Sequence, residues 1–230
     1  KFIESTIKSV LNQKFKNYEY IILDGGSSDN TIKIIKKYSK YISYWASQKD
    51  KGIYDAFNKG MKLSKGKYLC IVNSDDKLKP NALKIVNSYI ENYPSQDFIY
   101  GSVKKHWGIL HGYKPQKISY SWGFYSSHST GFYIKTDSAK KVGLYNLRYK
   151  YHSDYDYFYR MIVKHKMYGK GTKKNEIFGI FNRGGFSSKV SFKKHFKEEL
   201  NIRRDNNQSK ILIKFIQVYK ILRNFKKLYN

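Results

Sequence analysis

The chain has 230 residues, 40% hydrophobic and 17% aromatic, which suits a folded domain and excludes a disordered segment. Its single cysteine, Cys70, excludes an internal disulfide framework and fits a reducing compartment. Lys and Arg number 45 against 17 Asp and Glu, a formal net charge of +28, so the chain is expected to attract polyanions such as nucleic acid, an anionic membrane face or phosphorylated substrates. No zinc-finger spacing or RNA-binding-sheet signature accompanies the charge. No apolar run reaches the length of about 18 residues that a membrane-spanning helix needs.

Residues 2–12 place Phe2, Ile3, Ile7, Val10 and Leu11 at helical spacing. The helical pattern starts at once, with no strand and no signal peptide before it, so an opening segment is expected to be missing. Residues 18–23 read as a strand, followed by the turn Asp24-Gly25-Gly26-Ser27-Ser28-Asp29 and a helix through Ile32, Ile34, Ile35 and Tyr38. Residues 41–47 read as a further strand. Asp50-Lys51-Gly52 then leads into a short helix that ends near Gly60.

Tyr68-Leu69-Cys70-Ile71-Val72 is a continuous apolar run that reads as a buried strand, and it ends abruptly in Asn73-Ser74-Asp75-Asp76. In an α/β sheet the carboxyl ends of the strands border the ligand crevice, and acids there suit divalent cations and phosphates. Taken alone, the same four residues also suit a simple acidic turn before the next helix. That helix spans 81–93, and residues 97–103 form another strand. The alternation of strand and helix to this point predicts a parallel or mixed sheet covered by helices.

From about residue 104 the pattern changes. Residues 107–120 read as short strands and loops, 126–134 as a polar loop entering a strand, and 136–142 as a short helix. Residues 151–161 open a helix with Asp154 and Asp156 in its first turn, where the helix dipole favours acids. Residues 176–181 are a last strand, followed by a loop carrying Arg183. Residues 189–230 carry 12 Lys and Arg against 3 Asp and Glu. Within them Ile211, Phe215, Val218, Leu222 and Phe225 repeat at spacings of 4, 3, 4 and 3, a basic amphipathic helix that suits docking on the domain or on an anionic membrane surface.

Three pieces occur in a set order: a strand ending in Asp24 with its Gly-rich turn, Asp50-Lys51-Gly52 leading to Asn58-Lys59-Gly60, and a strand ending in Asn73-Ser74-Asp75-Asp76. With the later His152-Ser153-Asp154-Tyr155-Asp156 segment, the set resembles the family 2 glycosyltransferases of bacterial surface-polysaccharide synthesis. The resemblance covers roughly residues 2–188. It implies a GT-A fold, an α/β mixed sheet flanked by helices with its first strand missing here. It also implies a nucleotide-sugar donor, UDP-linked in most of the family, a divalent metal (Mn²⁺ or Mg²⁺), and inversion at the anomeric carbon. By the same resemblance Asp24 contacts the nucleobase, Asp50 and Gly52 line the nucleotide pocket, and Gly26, Asn58 and Asn73 are further nucleotide-sugar contacts. Asp75 ligates the metal and Asp154 is the general base. His128, in a loop that resembles the His-Gln position of one subgroup, and Asp156 are candidates for acceptor or diphosphate contacts.

Two positions depart from the family pattern: Asn73 stands where an acid is usual, and Ser153 stands where Glu precedes the base. The expected organisation is a glycosyltransferase domain over 1–188, with a nucleotide half to 103 and an acceptor half after it, and a basic helical extension over 189–230. The acceptor is expected to be a glycan or lipid-linked molecule, and the location cytoplasmic, peripheral on the inner membrane face. A truncated or impaired domain that only binds nucleotide is the competing expectation, with a nucleic-acid-binding protein behind it.

Overall fold

The computed structural model describes residues 2–112, 114–120, 129–182 and 190–225. The first half alternates as the sequence suggests: α1 (Ile3–Leu11), β1 (Ile21–Asp24), α2 (Thr31–Lys37), β2 (Tyr44–Ser47), α3 (Ile53–Leu63), β3 (Tyr68–Cys70), the two-residue β4 (Lys77–Leu78) and α4 (Ala82–Asn92). Then follow β5 (Phe98–Tyr100), β6 (Ser102–Lys105), β7 (Gly108–Leu110), β8 (Phe132–Lys135), α5 (Thr136–Val142), α6 (Ser153–Tyr159), β9 (Gly169–Gly171) and β10 (Ile177–Ile180). Two longer helices, α7 (Phe192–Asp205) and α8 (Lys210–Arg223), follow.

Among the described residues the strands fall into three sheets. β1 pairs with β2 in parallel, β3-β8-β5-β9 form a mixed sheet, and β4-β10-β6-β7 form another. The mixed sheet is the centre of the molecule. Side chains alternate across a strand, so β5 and β8 feed two cores at once. Phe98, Tyr100, Phe132 and Ile134 enter an aromatic core with Tyr155, Tyr157, Phe158, Met161 and Ile202. Ile99 and Tyr133 turn the other way, against Val10, Ala82, Val86 and Phe178. The aromatic core is closely stacked: the Tyr145 and Tyr157 rings lie 4.4 Å apart at 15°, and Phe158 meets Phe132 edge-on at 4.8 Å.

The run at residues 97–103, expected as one strand, is two. β5 ends at Tyr100 and β6 begins at Ser102 in a different sheet. Gly101 makes the switch possible, because a Cβ at this position would lie 2.1 Å from the Phe178 ring. The helix expected over 151–161 is α6 followed by a π-helical turn at Arg160–Lys164, an insertion that widens the last turn. Four buried aromatics, Tyr155, Tyr157, Phe158 and Tyr159, occupy successive sides of α6, as expected for a helix enclosed all round.

The C-terminal helices pack on the rest of the described residues. Ile202 of α7 belongs to the main aromatic core. Arg203 and Glu199 are fully buried, joined at 2.6 Å, and Arg203 donates to the Ser119 carbonyl at 2.7 Å. Lys220 of α8 donates to the second Glu199 oxygen at 2.5 Å. α8 docks through Ile213 and Ile221 on Phe192, Phe196 and Leu200 of α7. The stripe Ile211, Phe215, Val218, Leu222 and Phe225 is exposed.

β1 and β3 both line one large cleft of about 2500 Å³, together with α3 and the loops that follow each strand. Among the described residues, β1 pairs with β2 alone and β3 with β8 alone.

Candidate functional site

Three loops and one helix start meet at the cleft. Asp24, Gly25, Asp50, Gly52, Asn73, Asp75 and Asp154 all line it. β1 and β3 carry Asp24 and Asn73–Asp75 to the same end of the molecule because the chain crosses over through α2, β2 and α3 between them.

Asp24 organises its own turn. Its Oδ2 accepts from the Gly26 and Ser27 amides at 3.1 and 2.9 Å and from the Ser47 hydroxyl at 2.6 Å, while Oδ1 accepts from the Ser27 hydroxyl at 2.5 Å. Burial pushes this carboxyl up, but the Ser27 and Ser47 hydrogen bonds outweigh it and hold the group below its ordinary value. It is therefore a charged clasp between β1 and β2. Gly25 lets the next loop approach: a Cβ there would sit 2.5 Å from Asp50 Oδ2. Asp50 in turn accepts from the Gly52 amide at 2.9 Å and fixes the start of α3. The first turn of α3 places Tyr54 so that its single hydroxyl proton is shared between Asp154 Oδ1 at 3.1 Å and the Tyr151 carbonyl at 3.2 Å. α3 thus links the Asp50 loop directly to the acid at the start of α6.

Asn58 does not belong to this surface. It is buried, its amide donates to the Tyr145 carbonyl at 2.9 Å and its Oδ1 accepts from the Tyr145 amide at 2.8 Å. The expectation that it touches the donor is corrected: both ends of the side chain are occupied in bracketing the 143–149 segment.

At the end of β3 the four polar residues divide. Asp76 is fully buried; its Oδ2 accepts from Asn73 at 3.2 Å and Ser129 at 3.1 Å, and its Oδ1 from the Asn182 amide at 3.4 Å. The Thr6 hydroxyl of α1 lies 2.8 and 2.7 Å from the Ser74 and Asp76 carbonyls and shares its one proton between them, tying the turn to the first helix. Asp75 remains at the cleft wall, with its backbone carbonyl accepting from the Asn182 side chain. Among the described residues no three His, Cys, Asp or Glu side chains converge on one point. The donor set fits a hard cation only when a ligand supplies further oxygens, since Mg²⁺ is normally held by one or two carboxylates plus phosphates and water.

Asp154 Oδ1 also accepts from the Tyr155 amide at 2.8 Å, and the residue sits in the first turn of α6. Asp156, two residues on, faces the other way. It is buried, paired with Arg160 Nε at 2.9 Å and bonded by Asn206 at 2.8 Å. Its expected contact with acceptor or diphosphate is therefore corrected to a structural role. His128 and Arg183 lie outside the described residues.

A model of Glycosyl transferase family 2 matches residues 1–186. The chain belongs to this family. It is 26% identical over 84% of its length to an uncharacterized glycosyltransferase, MJ1057, of Methanocaldococcus jannaschii, and covers 71% of that protein. It is 39% identical over 38% of its length to the poly(ribitol-phosphate) beta-N-acetylglucosaminyltransferase TarP of Staphylococcus aureus, covering 28% of it. In three dimensions 98% of the chain superposes on S. aureus TarS with a TM-score of 0.72 at 16% identity, which identifies the GT-A fold. The chain spans 41% of that TarS chain, and 69% of a shorter TarS form solved with UDP-GlcNAc.

Several side chains of this family 2 glycosyltransferase escape a reading by motif. Lys105, the last residue of β6, lines the cleft, with its Nζ 4.4 Å from the Phe181 ring centre. Burial pulls its ammonium down in pKa, and the nearby Asp76 carboxylate offsets part of that. Glu198 of α7 accepts from the backbone amides of Lys150, Tyr151 and His152 at 2.6, 2.7 and 2.8 Å, which anchors the chain just before Asp154. His195 of α7 meets His152 nitrogen to nitrogen at 2.6 Å. Aromatic and basic residues are common in this sequence, so only the three-dimensional arrangement marks these positions.

The histidine pair sets a pH expectation. Burial lowers the His152 pKa, with His195 and Lys220 adding to the effect and Asp154 and Glu199 opposing it. A histidine lowered on folding contributes its full stability above its unfolded value of about 6.5 and loses it as pH falls toward the folded value. The thermal midpoint of the wild type is expected to drop more between about pH 7 and pH 5 than that of His152→Gln. Equal drops in the two proteins would show that other groups carry the acid sensitivity.

Proposed function

We propose that this chain is an inverting glycosyltransferase that moves a sugar from a nucleotide diphosphate donor, UDP-linked, to a hydroxyl of a glycan or lipid-linked acceptor. The observation that carries the reading is the placement of Asp75 and Asp154, from elements nearly eighty residues apart in sequence, on the walls of one cleft with the Asp24 and Asp50 loops. Solved neighbours support the donor class: the TarS structures include complexes with UDP and with UDP-GlcNAc.

In this reading Asp154 takes the proton from the acceptor hydroxyl as its oxygen bonds to the anomeric carbon, and the bond to the diphosphate oxygen breaks with its electron pair leaving on the nucleotide. Tyr54 orients Asp154 through its hydroxyl. Lys105 stands in the same cleft as a fixed positive charge for the diphosphate. Asp75 would hold a Mg²⁺ or Mn²⁺ ion, which when bound neutralises the charge developing on the leaving group.

The test is thermal-shift titration with UDP-, GDP- and TDP-sugars, with and without Mn²⁺, since a ligand that binds only the folded state raises its apparent stability. UDP-sugars with Mn²⁺ are expected to give the largest upward shift, and Asp75→Ala to abolish the Mn²⁺-dependent part. A shift that is identical in Asp75→Ala removes the metal assignment. Asn73, where the family usually has an acid, favours one second reading, a nucleotide-binding domain without turnover. Donor hydrolysis in the presence of Mn²⁺ rejects that reading if product accumulates.

A further inference from the structure

We propose that the outer face of α8 docks this protein on an anionic lipid surface. The helix has two apolar faces, and the fold uses one of them. Ile213 and Ile216 are each only 5% exposed, and Lys220 on that side is committed to Glu199. On the opposite side Ile211, Phe215, Val218 and Leu222 are 71, 70, 49 and 73% exposed. With about 100° of rotation per residue, these four fall within one narrow sector, and Leu212 and Tyr219, also exposed, widen it on one side. Lys210 and Lys214 border the other side of the stripe, and Arg223 lies beyond Tyr219.

A large apolar stripe on a soluble surface marks an interaction site. Its form selects the partner. The helix has 14 residues and is about 21 Å long, so the stripe is at most that length and one helix face wide. That is well short of the roughly 800 Å² per partner that a stable protein–protein interface buries. A second copy of this chain would also bring a second formal charge of +28. A lipid surface has neither objection. It accepts a single helix lying in its plane, apolar side chains entering the acyl boundary, and its anionic headgroups meet the flanking cations. The net charge of the whole chain adds longer-range attraction that salt weakens.

The experiment is co-sedimentation of the full chain with phosphatidylcholine vesicles, with and without phosphatidylglycerol, at low salt and at about 0.15 M ionic strength. Binding is expected with phosphatidylglycerol, and to fall as salt rises. The double variant Phe215→Asp with Leu222→Asp is expected to lower the partition coefficient at least about tenfold, because two apolar side chains that would enter the acyl boundary are lost and two acids face the headgroups. Both positions are exposed, so the thermal midpoint should not move. Lys214→Glu should weaken binding to the anionic vesicles and leave the weak binding to pure phosphatidylcholine as it was. Equal partitioning of wild type and double variant at an unchanged midpoint would overturn the proposal. So would a wild type that sediments as a dimer without binding vesicles while the double variant is monomeric, since the stripe would then be a contact between copies.

Discussion

Asp154→Asn is expected to lower kcat by about 10²–10⁴-fold, the usual contribution of a positioned general base. The substitution is nearly isosteric. Oδ1 still accepts from the Tyr155 amide and the Tyr54 hydroxyl, so α6 should start in the same place. What is lost is the charge and the capacity to hold the acceptor proton. UDP binding with Mn²⁺ should therefore be unchanged, because Asp75 and the Asp24 and Asp50 loops are untouched. Initial rates and a binding isotherm on the same protein separate the two. Wild-type turnover in Asp154→Asn would remove Asp154 as the base, whatever the donor proves to be. Tyr54→Phe is the companion: it deletes one hydrogen bond to the same oxygen and should lower kcat with little effect on donor binding.

Glu199→Ala should be the most destabilising single change in the C-terminal half. Glu199 is fully buried between Arg203, on its own helix, and Lys220 of α8. Removing one partner of a buried ion pair costs about 3–5 kcal/mol, because the remaining charge has no compensation. Here two cations are left at once, although Arg203 keeps its bonds to the Ser119 carbonyl and Gln208. For a chain of this size each kcal/mol lowers the thermal midpoint by about 2–4 °C. Glu199→Gln keeps an acceptor and the side-chain volume, so it should lose less. Thermal melts of the three proteins at neutral pH check this; an unchanged midpoint in Glu199→Ala would mean that α7 and α8 contribute little to the fold. The neighbouring Glu198 anchors the entry to α6, so loosening α7 should also reduce transfer activity at temperatures below the melt.

Where local chemistry decides the structure, the sequence could be read closely. The strand, Gly-rich turn and helix from residue 18 to 38, the acidic strand end at Asn73–Asp76 and the acid-bearing start of α6 all depend on neighbours a few residues away. Resemblance then brought Asp24, Asp50, Asp75 and Asp154 to one cleft, which periodicity alone could not do. What stayed hidden depends on distant partners. Asn58 follows a plausible binding loop, yet its partner is Tyr145, 87 residues away. Asp156 looks like its neighbour Asp154, but Asn206 and Arg160 enclose it. The break between β5 and β6 needs Phe178 to be seen against Gly101. For α8 the apolar periodicity was legible, but the side of the helix that the domain covers was not: five regularly spaced residues point outward, and Ile213, Ile216 and Ile221 between them make the contact.

The separation of β1 from β3 has a consequence for the proposed donor site. Each strand is satisfied along one side, by β2 or by β8, and both border the same apolar cleft. The loop ends of the two strands, at Asp24 and Asp75, are where the donor is proposed to sit, so its two halves would be held by strands that share no backbone pairing among the described residues.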